Sequence, residues 1–239
     1  MRCLAVLAPL ALVAGFAMPA YAGSISIEGT GLVTAAPDTA YINSGVTTQG
    51  TTAREALDLN TKAMADLIAA LKDSGIEARD IQTSGFSVNP NYVYSDARDE
   101  NGYSMPPKIQ GYQVANTVTV VVRKLDTLGS ILDKSVTIGA NTINGVSFAV
   151  ADPSALYNEA RKAAFADART KAELYAEVAG SALEEINSIS ESQGFNQPQP
   201  APMYAKADVQ AGAPVPVESG ELSFTINVSV QWELADTTK

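Results

Sequence analysis

Of the side chains that carry most nucleophilic, acid–base and metal chemistry, this sequence holds no histidine and a single cysteine, Cys3. A Ser-His-Asp triad, a Cys-His pair, an HExxH zinc site and a thiolate metal cage are therefore closed to it. Neither Ser-x-x-Lys nor GxxxxGK[ST] occurs. Carboxylates remain, and a pair of them hydrolyses a glycosidic bond when their separation and pKa values are tuned. The candidates are Glu173 with Glu177 and Glu184 with Glu185. The first two share a helical stretch with Arg169 and Lys171, and the second two alternate faces of a strand, so both pairs read as surface charge. Asp96, Asp99, Glu100 and Asn101 offer the oxygen ligands that calcium takes. Arg98 falls among them and the glycine spacing misses the EF-hand pattern, which favours a solvated loop. No metal site and no cofactor are expected.

Two other features call for a reading. Tyr92, Tyr94, Tyr103 and Tyr112 gather around that same acidic loop with Met105. Amphipathic aromatics are favoured at interfaces, and Tyr92, Tyr94, Tyr103 and Met105 are the candidate interaction residues. The stretch GTGLVTAAPD, Gly29 to Asp38, looks like the start of a dinucleotide loop. The third glycine of that fingerprint is replaced by Thr34, and Pro37 introduces another strand where a helix should open. Gly29 and Gly31 instead fit a bulge or a close backbone approach, within the first hairpin of the fold.

The elements that would position these residues follow from hydrophobic period. The opening MRCLAVLAPLALVAGFAMPAYA reads as a secretory signal, residues 1–22, cut after Ala22. Its apolar run is shorter than the roughly 20 residues that span a bilayer. The exported part, 23–239, then has no cysteine and expects no disulfide; its methionines are Met64, Met105 and Met203, so direct redox chemistry is unattractive. A net charge of −10 without a basic cluster argues against nucleic acid and anionic membrane as partners. The place implied is the periplasm, peripheral to the outer membrane at most, with no transmembrane segment in the mature chain.

Strands are expected at Ser24–Val33 and Thr39–Thr48, followed by a helix capped by Thr52 and Glu55 and stopped at Gly75. Ile81–Val93 and Ile109–Arg123 read as strands around a mobile polar excursion at about 94–108. A second helix fits Asp126–Ile138, a strand Asn144–Val150, and a long alanine-striped helix Pro153–Ala179 with Asp152 at its start. After a strand at Leu183–Ser192 comes a proline-rich loop at about 193–217. The last strand has the clearest alternation in the chain, Leu222 through Leu234. This order predicts an α+β fold: one elongated domain with a long, largely antiparallel sheet and three helices on one face. Its inner part, Thr39 to Val150, follows a ferredoxin-like βαββαβ order.

Three stretches carry a family resemblance: GTGLVTAAPDTAYINSGV, GYQVANTVTVVVRKLDTLGSILDKSVTIGANTINGVSF and EARKAAFADARTKAELYAEVAG. The segment Gly139, Ala140, Asn141 leading to Phe148 is the most specific. On these residues the chain resembles the SIMPL-domain family of exported bacterial envelope proteins. The resemblance implies a cell-envelope location and, for some members, a link to oxidative-stress tolerance; it carries no catalytic residues across. The reading is a non-enzymatic envelope protein acting through self-assembly, as a homo-oligomer, or by binding other envelope proteins. A carboxylate-dependent hydrolase of envelope glycans and a small-molecule binding module are the alternatives.

Overall fold

A computed structural model describes residues 23–192 and 215–236. The expected signal segment, most of the proline-rich loop and Met203 lie outside the described residues. The order is β1 (Gly23–Ala35), β2 (Thr39–Gly50), α1 (Ala53–Asp73), β3 (Ile81–Val93), β4 (Lys108–Val122), α2 (Leu128–Ile138), β5 (Thr142–Ala149), α3 (Ser154–Val178), β6 (Ser181–Ser192) and β7 (Leu222–Asp236). The fold is α+β, and every strand pair is antiparallel.

The strands divide into two sheets, β1-β7-β6 and β3-β4-β2-β5, and the helices divide with them. α1 and α2 cover the four-stranded sheet, where Met64, Leu67, Leu71, Leu128 and Ile131 bury against Val118, Val120 and Val122. α3 covers the three-stranded sheet and has a separate core with β7. The four-stranded unit is the expected βαββαβ segment, and β3-β4-β2-β5 is the ferredoxin-like strand order.

The first hairpin does not form. β1 pairs along its whole length with β7, from Gly23 opposite Leu234 to Ala35 opposite Leu222, while β2 pairs with β4 and β5. Pro37 and Asp38 therefore carry the chain from one sheet to the other. A turn signal fixes where the chain bends but not which strand its neighbour prefers, and β7 offers β1 a fully alternating partner of matching length. Asp38 pins this crossing to the return crossing between β5 and α3. Its amide donates to Ala149 O at 3.1 Å, and its carboxylate accepts from the Ala151 amide at 2.8 Å. The Ala151 amide and the Thr39 hydroxyl hold the Asp38 carboxyl below its usual pKa.

Helix boundaries follow local chemistry. Glu55 donates its amide to Thr52 Oγ1 at 3.2 Å, as a capping box requires, but its carboxylate reaches one residue further back, to the amide and hydroxyl of Thr51. α1 ends at Asp73 with Ser74 as its C-cap, and Gly75 takes φ +89°. A turn of 3-10 helix at Leu125–Thr127 occupies the start of the expected second helix. α3 begins at Ser154, one residue later than expected: Pro153 holds the cap position, and Asp152 accepts the Ser154 amide at 3.0 Å.

On α3, Ala160, Ala164, Ala168 and Ala172 are fully buried against Ile226, Val228, Val230 and Trp232. Gly29 and Gly31 of β1 lie beneath this stripe. A Cβ on Gly31 would run into the Ala160 carbonyl, and one on Gly29 into the Ala164 carbonyl. Small residues on both surfaces let the helix axis approach the sheet closely.

Candidate functional site

Two surfaces hold the residues singled out from sequence. The first is the β3–β4 hairpin, which outruns the cover that α1 gives to β2 and β4. Near its base, Val118, Val120 and Val122 of β4 are buried. Towards its tip, both strands emerge, and Phe86, Val88, Tyr92, Val93 and Ile109 are all exposed. Tyr92 stands opposite Ile109 across the ladder, after a bulge at Asn91 and Tyr92. Tyr94 and Tyr103 are 78% and 72% exposed, and Met105 is also on the surface. Tyr112 is half-buried opposite Pro90 and is set apart from the others.

The excursion that joins these strands has internal structure. Arg98 bridges to Ser104, and the Asp99 amide donates to Tyr103 O at 2.8 Å. Asp99 Oδ1 accepts the amides of Asn101 and Tyr103 at 3.0 and 2.8 Å, and Gly102 supplies φ +85°. Asp99, a calcium candidate on sequence, thus spends one carboxylate oxygen on a turn. Among the described residues no group of three or more acidic, histidine or cysteine side chains is arranged to hold a metal.

The second surface is a groove of about 520 Å³ between α3 and β6, lined by Phe165, Arg169, Glu173, Glu177, Glu184 and Trp232 among others. It brings together three of the four acidic candidates and leaves Glu185 out. Glu173 is committed to Arg169 at 2.7 Å. Beyond the groove, Arg161 makes three bonds of 2.9–3.1 Å to the Glu191 carboxylate, which depresses the Glu191 pKa. Periodicity placed Phe165 on the helix and Trp232 on the strand; only the packing of α3 onto β7 placed them side by side, with ring centroids 6.3 Å apart.

Two buried polar arrangements carry no signature in the sequence. Asn60 is fully buried in α1 and donates to Val46 O at 2.8 Å and Val114 O at 3.2 Å. Asp80, also buried, accepts two bonds from the Arg123 guanidinium at 2.8 and 3.0 Å. Both tie helix or turn to sheet, and neither lies on the two surfaces above.

The order and pairing of elements can be set against known proteins. The SIMPL family, described as a protein of unknown function (DUF541), matches residues 25–232, which runs from within β1 to within β7 and takes in every element between them. The chain belongs to the SIMPL family. The 26 kDa periplasmic immunogenic protein of Brucella melitensis biotype 1 is 40% identical over 235 residues, covering 93% of each chain. The uncharacterized protein YggE of Escherichia coli K12 is 30% identical over 211 residues, covering 88% of this SIMPL chain and 82% of YggE. YggE of Edwardsiella ictaluri is similar at 30% identity over 211 residues. Among the described residues of this SIMPL protein no helix is long and apolar enough to cross a membrane.

Proposed function

We propose that this SIMPL protein is a periplasmic, non-enzymatic envelope protein that works by self-assembly or partner binding through its β3–β4 hairpin. One observation carries the reading: the apolar side chains of this hairpin continue past the core into solvent, from Phe86 to Ile109, and Tyr94, Tyr103 and Met105 are exposed in the excursion at its tip. Exposed clusters of this composition mark interaction surfaces, and covering a strand edge with a second copy is the simplest way to remove its aggregation hazard. The signal-like N-terminus and the periplasmic relatives support the location. Any link to oxidative-stress tolerance is then indirect, since residues 23–239, the expected mature chain, hold no cysteine.

Light scattering on the purified mature protein tests the proposal. The wild type is expected to be oligomeric at micromolar concentration. A variant with Tyr94→Ser, Tyr103→Ser and Met105→Ser should keep its urea midpoint and shift to smaller species. A wild type that is strictly monomeric and yields no cross-linked envelope partner contradicts the reading. The glycan-hydrolase alternative is favoured by Glu177 and Glu184 sharing a groove and opposed by the pairing of Glu173 with Arg169. Turnover of a chromogenic glycoside that Glu184→Gln abolishes would establish it.

A further inference from the structure

The two edges of the three-stranded sheet are treated differently. At the β1 edge, α3 reaches over the backbone. Asp167 accepts the Thr30 amide at 2.9 Å, and Lys171, paired with Asp167 at 2.7 Å, donates to Glu28 O at 3.2 Å. These contacts occupy groups that an incoming strand would need. At the other edge, β6 has a neighbouring strand on its β7 side alone among the described residues. Because α3 sits towards β1, it leaves β6 partly uncovered. Ile186 and Ile189 are 44% and 57% exposed, although Trp232 and Val230, directly opposite them on β7, are buried.

We propose that β6 and the groove beside it receive an extended peptide segment of alternating apolar and basic residues, laid antiparallel or parallel against the open edge. Bulges between Leu183 and Ser188 bend the first half of β6, and this bend lies where the groove is found. From Ser188 to Ser192 the register with β7 is continuous, which leaves a regular stretch of edge for main-chain hydrogen bonds. Alternate apolar side chains of the guest would cover Ile186 and Ile189 and reach Phe165 and Leu183. Charge selects the guest. Arg169 is used by Glu173, while Glu177 and Glu184 line the same groove and form no ion pair among the described residues. With Arg169 neutralised and two carboxylates left at the groove, a basic segment of another protein is the electrostatic match for this surface. This surface lies on the opposite sheet from the hairpin and stands or falls separately from the assembly reading.

The test uses the mature chain and a fluorescein-labelled peptide of alternating Val and Lys. Trp232, the single tryptophan, lines the groove and reports occupancy directly. Saturable anisotropy with a matching change in Trp232 emission is expected. Glu177→Lys with Glu184→Lys should weaken binding about tenfold or more, the milder Glu177→Gln with Glu184→Gln should weaken it less, and methylating alternate peptide amides should weaken it comparably. Equal binding of a Val and Glu peptide, or of the N-methylated one, would overturn the proposal. So would binding that leaves Trp232 unchanged, or a native oligomer that the Glu177→Lys and Glu184→Lys pair dissolves, since that result gives the groove to a second copy.

Discussion

Replacing Gly31 with alanine adds one methyl group to a strand and should destabilise the protein severely. In an ordinary strand the same change is worth roughly 0.5–1 kcal/mol of added stability, because alanine surrenders less backbone entropy than glycine. At Gly31 the added Cβ meets the Ala160 carbonyl, lies 2.5 Å from Ala164 N and 2.9 Å from Ala160 C. All three are backbone atoms of α3, so no rotamer change relieves the overlap, and the helix must lift from the sheet. Overpacking of a dense core costs about 1–3 kcal/mol, and the absence of a yielding side chain puts this case at about 3. Lifting α3 would also loosen its alanine stripe against Ile226 and Val230. Urea unfolding followed by Trp232 fluorescence reads this same core; with a slope of about 2–3 kcal/mol/M, the midpoint should fall by about 1 M. Gly85→Ala is the internal control, since its Cβ would find only ordinary contact with Thr117 at 3.8 Å. Its stability should hold or rise slightly. If Gly31→Ala is as stable as the wild type, the close approach of α3 to β1 is not what the two glycines serve.

The buried pairs give further expectations. Hydrogen bonding from Arg123 lowers the Asp80 pKa, so the pair contributes its full stability above the unfolded carboxylate value near 4 and loses it as pH falls through the folded value. Asp80→Asn should cost about 1–2 kcal/mol at neutral pH, less than a fully buried pair because the Arg123 side chain is half exposed. The deficit should shrink in urea titrations at about pH 3, and a deficit independent of pH would refute the assignment. Asn60→Asp places an acceptor-only group against the Val46 and Val114 carbonyls, with an expected loss of about 3 kcal/mol or more at pH 7 and partial recovery in acid. Equal stability of the two forms at pH 7 would show that the two amide bonds of Asn60 do not hold α1 to the sheet.

Much of the architecture was legible because it is written in short-range periods. The alternation from Leu222 to Leu234, the alanines of α3 and the Thr52–Glu55 cap each depend on residues a few positions apart, and each element formed within a residue or two of its expected bounds. The hairpin excursion was legible for the same reason, since polar residues and two prolines cannot continue a strand. The candidate surfaces were only half legible. Tyr92, Tyr94, Tyr103 and Met105 are close in sequence and stay close on one hairpin. Phe165, Glu184 and Trp232 are far apart in the chain, and nothing in their own neighbourhoods points to a common groove.

By itself the sequence determined the elements, the absence of imidazole and the confinement of thiol to Cys3, and it narrowed Gly29 and Gly31 to a bulge or a close backbone approach, of which the packing of α3 chose the second. Tertiary structure decided the partners. It sent β1 to β7, where Thr30 and Asn227 bond across 197 positions, and so divided one expected sheet into two. It also shifted α3 towards one edge through Asp167 and Lys171, closing β1 and leaving β6, among the described residues, with β7 as its one neighbour. Period and propensity act over a few residues, whereas strand pairing and helix placement are chosen by how whole surfaces fit, and many registers are compatible with one local pattern.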